Sequence, residues 1–266
     1  MNFSYCIEDK EMNFWYANGN SVMSGDEFHE FHEIIYIFRA DGIFLSEKEK
    51  AALLPDMLIL IPKENYHNFV FEENGEYTRC RIWFSDILEF EDIVKDCMNE
   101  IRVITESDGV FKKLFSELTK ICKEEYSDSE KRLLLRSSVL RILFEIKSGI
   151  RTFSTPSMEA QSELVQNAVS IINEHYCENI GITEIAARLF VSHSKLSHTF
   201  KKELNISVYK YITLKRLLFA QKLIKSGIGA SHAAKRCGFC DYSSFYRVYK
   251  KHFGTSPRRF MENKLK

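Results

Sequence analysis

From residue 28 to residue 84 the hydrophobic positions fall in short runs broken by turn residues. "HEIIYIFRADGIFL" divides into two β-rich runs around Asp41-Gly42, and "YHNFVFEENGEYTRCRIWF" divides the same way around Asn74-Gly75. Each reads as a hairpin signal. "MLILIP" supplies a further run ending at Pro62. Several strands at close intervals predict a small antiparallel barrel or sandwich. From about residue 86 the period changes. Phe111, Leu114, Phe115, Leu118, Ile121 and Cys122 recur at 3-and-4 spacing, as one face of a helix does. "SDSE" at 127–130 breaks the pattern and caps a second helix, apolar at Leu135, Val139, Ile142, Leu143 and Ile146. Residues 150–161 show no period and contain Ser, Thr and Pro, which predicts a linker. Every element after it reads as helical.

The helical half contains an internal repeat. "ITEIAARLFVSHSKLSHTFKKEL" (182–204) aligns with "ASHAAKRCGFCDYSSFYRVYKKHF" (230–253), with one extra residue at the second turn. Ala186 matches Ala234, Leu196 matches Phe245, and Lys201-Lys202 matches Lys250-Lys251. Each copy is a short helix, a tight turn and a second helix, the helix-turn-helix pattern. Alanine suits a close helix crossing, and Gly238 stands where positive φ is expected. Phe190 holds that turn position in the first copy, where a bulky residue is less comfortable.

Charge sharpens the division. Residues 1–150 carry 18 Lys+Arg against 29 Asp+Glu, a balance of −11, and residues 151–266 carry 19 against 8, a balance of +11. An acidic half followed by a strongly basic one implies a polyanionic partner for the second. No apolar tract of about 18 residues is present, so no membrane span is expected. Seven scattered cysteines, an odd number, argue for reduced thiols in the cytoplasm. Cys237 and Cys240 have dithiol spacing, yet no second CxxC completes a metal or redox site. Cys237 falls at the inner end of a helix, and Asp241 serves as the cap of the next.

The second helix of each copy has an inner face, Leu196 and Phe200 or Phe245 and Tyr249. The outer faces carry Ser194, Lys195, Ser197 and His198 in one copy, and Tyr242, Ser243, Tyr246 and Arg247 in the other. These side chains suit base edges, Arg binding guanine through two hydrogen bonds. Lys201, Lys202, Lys250 and Lys251 lie one turn later and suit phosphates.

The run from "IAARLFVSHSKLSHTFKKEL" through "YITLKRLLFAQKLI" to "GFCDYSSFYRVYKKHFGTSP" resembles the DNA-binding domain of the AraC/XylS family of bacterial transcription regulators, over about residues 163–261. Arg216, Ala220 and Leu223 match its linking helix. His198 stands where many members have Arg. The resemblance implies two recognition helices on one rigid linker, reading successive major-groove segments. "EFHEFHEIIYIFRADG" and "LLPDMLILIPKENYHNF" resemble the family's N-terminal cupin-like barrel, which binds an effector or mediates dimerisation. The implied fold class is multidomain α and β. A cupin-like effector and dimerisation domain spans 1–149, with a barrel to about 85 and helices to 149. A tandem helix-turn-helix DNA-binding domain spans 162–266.

Cupin enzymes use His and carboxylate ligands around a metal. Here His29, Glu33 and His67 fall at such positions, with Glu27 at the first His position and Asp56 where Gly is usual. No metal, cofactor or catalytic residue is therefore expected. The effector candidates are His29, Glu33, Arg39, His67 and Arg81, with Trp15 or Trp83 as stacking surfaces for a ligand such as a sugar. His32 is expected on the opposite side of its strand. The expected function is that of a sequence-specific regulator, an activator, not an enzyme. Its expected partners are double-stranded DNA, a small-molecule effector, a second copy of the chain and RNA polymerase. The alternative is a metal-dependent cupin enzyme with an accessory helical domain.

Overall fold

The computed structural model describes residues 2–9, 11–19, 26–72, 75–85, 90–105, 108–148 and 154–264. The first half opens with β1 (Asn2–Glu8), β2 (Met12–Gly19), β3 (Asp26–Glu27), β4 (His32–Ala40), β5 (Gly42–Ser46), β6 (Glu49–Ala52), β7 (Met57–Ile61), β8 (His67–Phe71) and β9 (Tyr77–Phe84). Helix α1 (Glu91–Cys97), strand β10 (Arg102–Thr105), helices α2 (Val110–Lys123) and α3 (Asp128–Lys147) and strand β11 (Met158–Ala160) follow. All strand pairs are antiparallel. One sheet has the order β1-β2-β9-β4-β7-β10 and the other β11-β6-β5-β8-β3. Among the described residues the strands thus form two sheets, not one closed ladder as a barrel requires.

Both predicted hairpins are corrected. β4 and β5 flank Asp41-Gly42, yet they lie in different sheets, as do β8 and β9. Asn74 itself lies outside the described residues. The chain passes between sheets at both corners, and the corners are tied by Glu72 N–H donating to the Asp41 carbonyl, 2.9 Å. The physical reason is burial on both sides. β4 is buried at nearly every position, with one face toward the other sheet and one toward helices. Such a strand needs neighbours on both edges, and β7 and β9 supply them. Asp56 has φ 57° and takes the place of the expected Gly; its carboxylate accepts from Tyr36 Oη and pairs with Lys112. The stretch predicted as linker includes β11, which pairs with β6, and Ser154, which bridges Thr105. Residues 149–153 lie outside the described residues.

Two apolar layers result. Ile34, Tyr36, Ile82 and Phe84 face the helices, against Phe111, Phe115, Leu118, Leu135, Val139, Ile142, Leu143 and Ile146. Ile35, Ile37, Ile59, Phe69, Phe71 and Tyr77 fill the space between the sheets. Helix α3 starts in a capping box, Ser127 accepting from the Glu130 N–H while Glu130 accepts from the Ser127 N–H.

Met1–Ala160 and Gln161–Lys266 are separate compact units. The second contains α4 (Glu163–His175), α5 (Ile182–Arg188), α6 (His193–Leu204), α7 (Val208–Lys225), α8 (Ala230–Arg236), α9 (Tyr242–Phe253) and α10 (Pro257–Lys264). Ala186 and Ala234 are buried, as close helix crossing demands. Gly238 has φ +80°, and a Cβ there would lie 2.6 Å from the Cys177 carbonyl oxygen. Phe190 adopts φ 55° with its ring 96% exposed, so the first copy keeps the left-handed turn at the cost of backbone strain. Arg216 of α7 donates to the Tyr176 and Glu178 carbonyls at 2.6 and 2.7 Å, pinning the turn beneath Gly238.

Candidate nucleic-acid interface and ionic cluster

Helices α6 and α9 begin at side-chain caps. Ser192 accepts from the Lys195 N–H at 3.2 Å, and Asp241 accepts from the Ser244 N–H at 2.7 Å. Hydrogen bonds from N–H groups hold the Asp241 carboxyl below the usual carboxylate range, the Ser244 backbone first among them. The inner faces are anchored by Leu196, Phe200, Phe245 and Tyr249, all fully buried. Ser194, Lys195, His198, Lys201 and Lys202 are exposed on α6, and Ser197 is half-buried. Tyr242, Ser243, Tyr246, Arg247, Lys250 and Lys251 are exposed on α9. Each helix therefore offers donors, aromatic edges and cations along one solvent face, with lysines in its last turn. Cys237 is buried, which with its surroundings pushes the thiol up to about 12, while Cys240 is exposed.

Between the sheets of the first unit lies a cluster of charged groups. Period-2 alternation aims Arg79, Arg81 and Trp83 of β9 to the same side as Tyr77. Glu33 of β4 sits opposite Trp83 and is fully buried. Its Oε1 accepts from Arg81 Nε and Trp83 Nε1, both at 2.7 Å. Its Oε2 lies 2.8 Å from His67 Nε2 and 3.2 Å from His29 Nε2. Glu27 Oε1 pairs with Arg81 Nη2 at 2.5 Å, and Glu27 Oε2 lies 3.7 Å from His67 Nε2. Burial opposes ionisation of both carboxyls, but Arg81 and the histidines outweigh it, holding Glu27 at about 2 and Glu33 well below its usual range. Burial lowers His67 as well, yet the nearby carboxylates of Glu27 and Glu33 leave it raised to about 9. Trp15 packs edge-on against Trp83, ring centroids 4.8 Å apart, and Phe31 stacks on Trp83 with centroids 6.2 Å apart. Glu27, His29, Glu33 and His67 bring four donor atoms within 4.8 Å of one another, the one group of that kind among the described residues.

His29, Glu33, His67, Arg81, Trp15 and Trp83 thus meet in one place. Arg39 does not join them: its side chain is 64% exposed and pairs with Glu76. His32 lies on the far face, stacked on Phe84, as alternation implies. The effector candidates did not include Arg79, nor Glu27, which the sequence places only at the first His position of the cupin pattern. Arg79 is buried among the rings of Phe69, Phe71 and Tyr77, and its Nη1 has no hydrogen-bond partner among the described residues. Burial lowers its pKa to about 10. The alternation Tyr77, Arg79, Arg81, Trp83 was the signal that would have found it.

The helix-turn-helix domain family matches residues 185–263, from within α5 to within α10. A probable transcriptional regulator, LumQ of Photobacterium leiognathi, is 28% identical over 148 residues, 55% of this chain and 58% of that protein. The chain thus spans little more than half the length of that relative. The HTH-type transcriptional activator RhaS of Escherichia fergusonii is 20% identical over 250 residues, covering 90% of this chain and 88% of its own. The Msm operon regulatory protein of Streptococcus mutans serotype c is 24% identical over 243 residues, covering 89% and 86%. The basic half thus carries a helix-turn-helix domain, and the chain is similar along most of its length to transcription regulators.

Proposed function

We propose that the chain is a ligand-responsive regulator whose helices α6 and α9 enter successive major-groove segments about one turn, roughly 10 bp, apart. The observation that carries this reading is the pair of capped helices, each with a buried aromatic or aliphatic anchor and an exposed row of Lys, Arg, Tyr and Ser. These are tandem helix-turn-helix units. Arg247, Tyr242, Ser243 and Tyr246 read bases from α9, and Ser194, Lys195, Ser197 and His198 from α6. Lys201, Lys202, Lys250 and Lys251 hold phosphates. The first unit, of cupin type, takes a small effector at the cluster of His29, Glu33, His67 and Arg81 beside Trp15 and Trp83; a sugar is one candidate class. Leu133 and Phe144, 67% and 54% exposed on α3, lie on one stripe with Leu140 and suit pairing with a second copy. RNA polymerase is the expected partner of the DNA complex, in the cytoplasm, and the chain acts without catalysis. Among the described residues no helix is long and apolar enough to cross a membrane.

The test is fluorescence anisotropy on duplex DNA from the gene's own promoter region and on scrambled duplex. Arg247→Ala is expected to remove about 1–3 kcal/mol of discrimination. Lys250→Ala is expected to weaken both duplexes alike and reduce the salt slope by about 1. Unchanged discrimination in Arg247→Ala would overturn the assignment of α9.

A further inference from the structure

We infer that Glu27, His29, Glu33 and His67 bind one divalent first-row transition-metal ion, with Arg81 and Trp83 fixing the carboxylates from behind. The inference deepens the reading of this cluster as the ligand site of the regulator, and rests on that reading only for the link to DNA.

The oxygens of each carboxylate are divided between two sets of neighbours. Arg81 and Trp83 engage Oε1 of Glu33, and Arg81 engages Oε1 of Glu27. Both Oε2 atoms are left facing the imidazoles. His29 Nδ1 lies 2.9 Å from the Phe31 carbonyl and His67 Nδ1 lies 3.1 Å from the Asn65 carbonyl. A carbonyl only accepts, so each Nδ1 carries the hydrogen, and in the neutral ring Nε2 presents its lone pair. Two lone pairs then converge on one carboxylate oxygen, Glu33 Oε2. Neutral rings would repel there, so either a proton on each Nε2 or a metal cation stands among the three atoms. The pattern, an outer ring nitrogen held by a carbonyl and an outer carboxylate oxygen held by donors, is how metal ligands are oriented.

A second observation points the same way. His67 is fully buried, and its Nε2 has no hydrogen-bond partner, its 2.8 Å approach to Glu33 being off the hydrogen-bond direction. Glu27 Oε2 is likewise enclosed and unpartnered. The spacings fit one ion. Donors about 2.1 Å from a metal are about 3 Å apart at right angles and about 4.2 Å apart when opposite. The separations are 2.8, 3.2 and 3.7 Å, with all four donors inside 4.8 Å. Two imidazoles with two carboxylates favour Zn, Fe, Mn or Ni over Mg or Ca. His29 and Glu27 are 14% and 19% exposed, which gives an ion a way in. The rival is a metal-free ion network in which a protonated His67 and Arg81 balance the two carboxylates.

The full chain, stripped with chelator, is dialysed against Zn²⁺, Mn²⁺ or Co²⁺ and analysed for bound metal. One ion per chain is expected. Co²⁺ should give visible d–d bands without a thiolate charge-transfer band, which excludes the cysteines as ligands. Glu27→Gln and His29→Asn lie at the rim, where folding is checked by circular dichroism, and each should lower affinity at least about tenfold. Trp83→Phe, which removes the N–H behind Glu33 together with part of the ring that packs on Trp15 and Phe31, should lower it about 10–100-fold. No bound ion, a thiolate spectrum, or folded rim variants that bind as wild type does would overturn the inference. DNA binding is measured on the same samples. One ion per chain with unaltered DNA affinity supports the metal site and removes metal as the effector. DNA binding without any metal uptake overturns the metal site and leaves the regulator reading standing.

Discussion

Gly238 offers a direct test of how the second helix pair is aimed. Replacing it with Ala puts an L-residue at φ +80°, which costs about 1–2 kcal/mol. The added Cβ would stand 2.6 Å from the Cys177 carbonyl oxygen, backbone pinned in turn by Arg216. Crowding of that kind costs about 1–3 kcal/mol. A less flexible unfolded chain returns about 0.4–1 kcal/mol. The net expectation is a loss of about 2–4 kcal/mol, or a fall in Tm on the order of 10 °C for a unit of this size. Both tryptophans, Trp15 and Trp83, belong to the first unit, so their fluorescence follows that unit, while ellipticity at 222 nm also follows the helical one. Gly238→Ala should lower the helical transition and weaken DNA binding. Phe190→Gly, at the matching turn, should do the opposite or nothing. It relieves about 1–2 kcal/mol of left-handed strain, against about 0.5–1 kcal/mol of added chain entropy. The exposed ring forfeits little burial. A Gly238→Ala protein that melts with wild type would refute the reasoning, as would a marked loss of stability in Phe190→Gly.

Three further outcomes are expected. Asp241→Ala removes the acceptor for the Ser244 N–H and should destabilise the second unit by about 1 kcal/mol, with Asp241→Ser largely restoring it in urea melts. In metal-free protein the stability supplied by Glu27 is complete above its ordinary 4.5 and disappears as pH falls to about 2; His67 adds stability below 6.5 that is lost as pH rises through about 9. Trp fluorescence melts across those two windows measure this, and flat profiles would contradict the ion network. Of the Cys237/Cys240 pair, a maleimide at neutral pH should label exposed Cys240 and spare buried Cys237, as peptide mass mapping would show.

Much of the second unit was legible from residue order. Its caps, its Gly238 turn and the faces of α6 and α9 arise from interactions within about four residues, which a linear pattern records. The helices α2 and α3 were legible for the same reason, down to the capping box at Ser127. The sheet was not. Asp41-Gly42 marks a reversal of the chain, but a reversal does not say which strand receives the hydrogen bonds, and here each corner carries the chain into the other sheet. β11 was hidden because three residues carry too little periodicity to register.

The ionic cluster depended on tertiary structure most of all. His29 and Glu33 lie four residues apart, yet Glu27 meets Arg81 across 54 positions and Trp83 meets Glu33 across 50. Sequence alone determined that an acidic β-rich half precedes a basic half with two helix pairs, because charge and period are local properties. Only the fold decided that Arg39 turns outward, that Arg79 is enclosed by aromatic rings, and that Arg81 takes one oxygen of each carboxylate. Those outcomes follow from strand register and from which face of each strand is dry, and both are set when the sheets pack together.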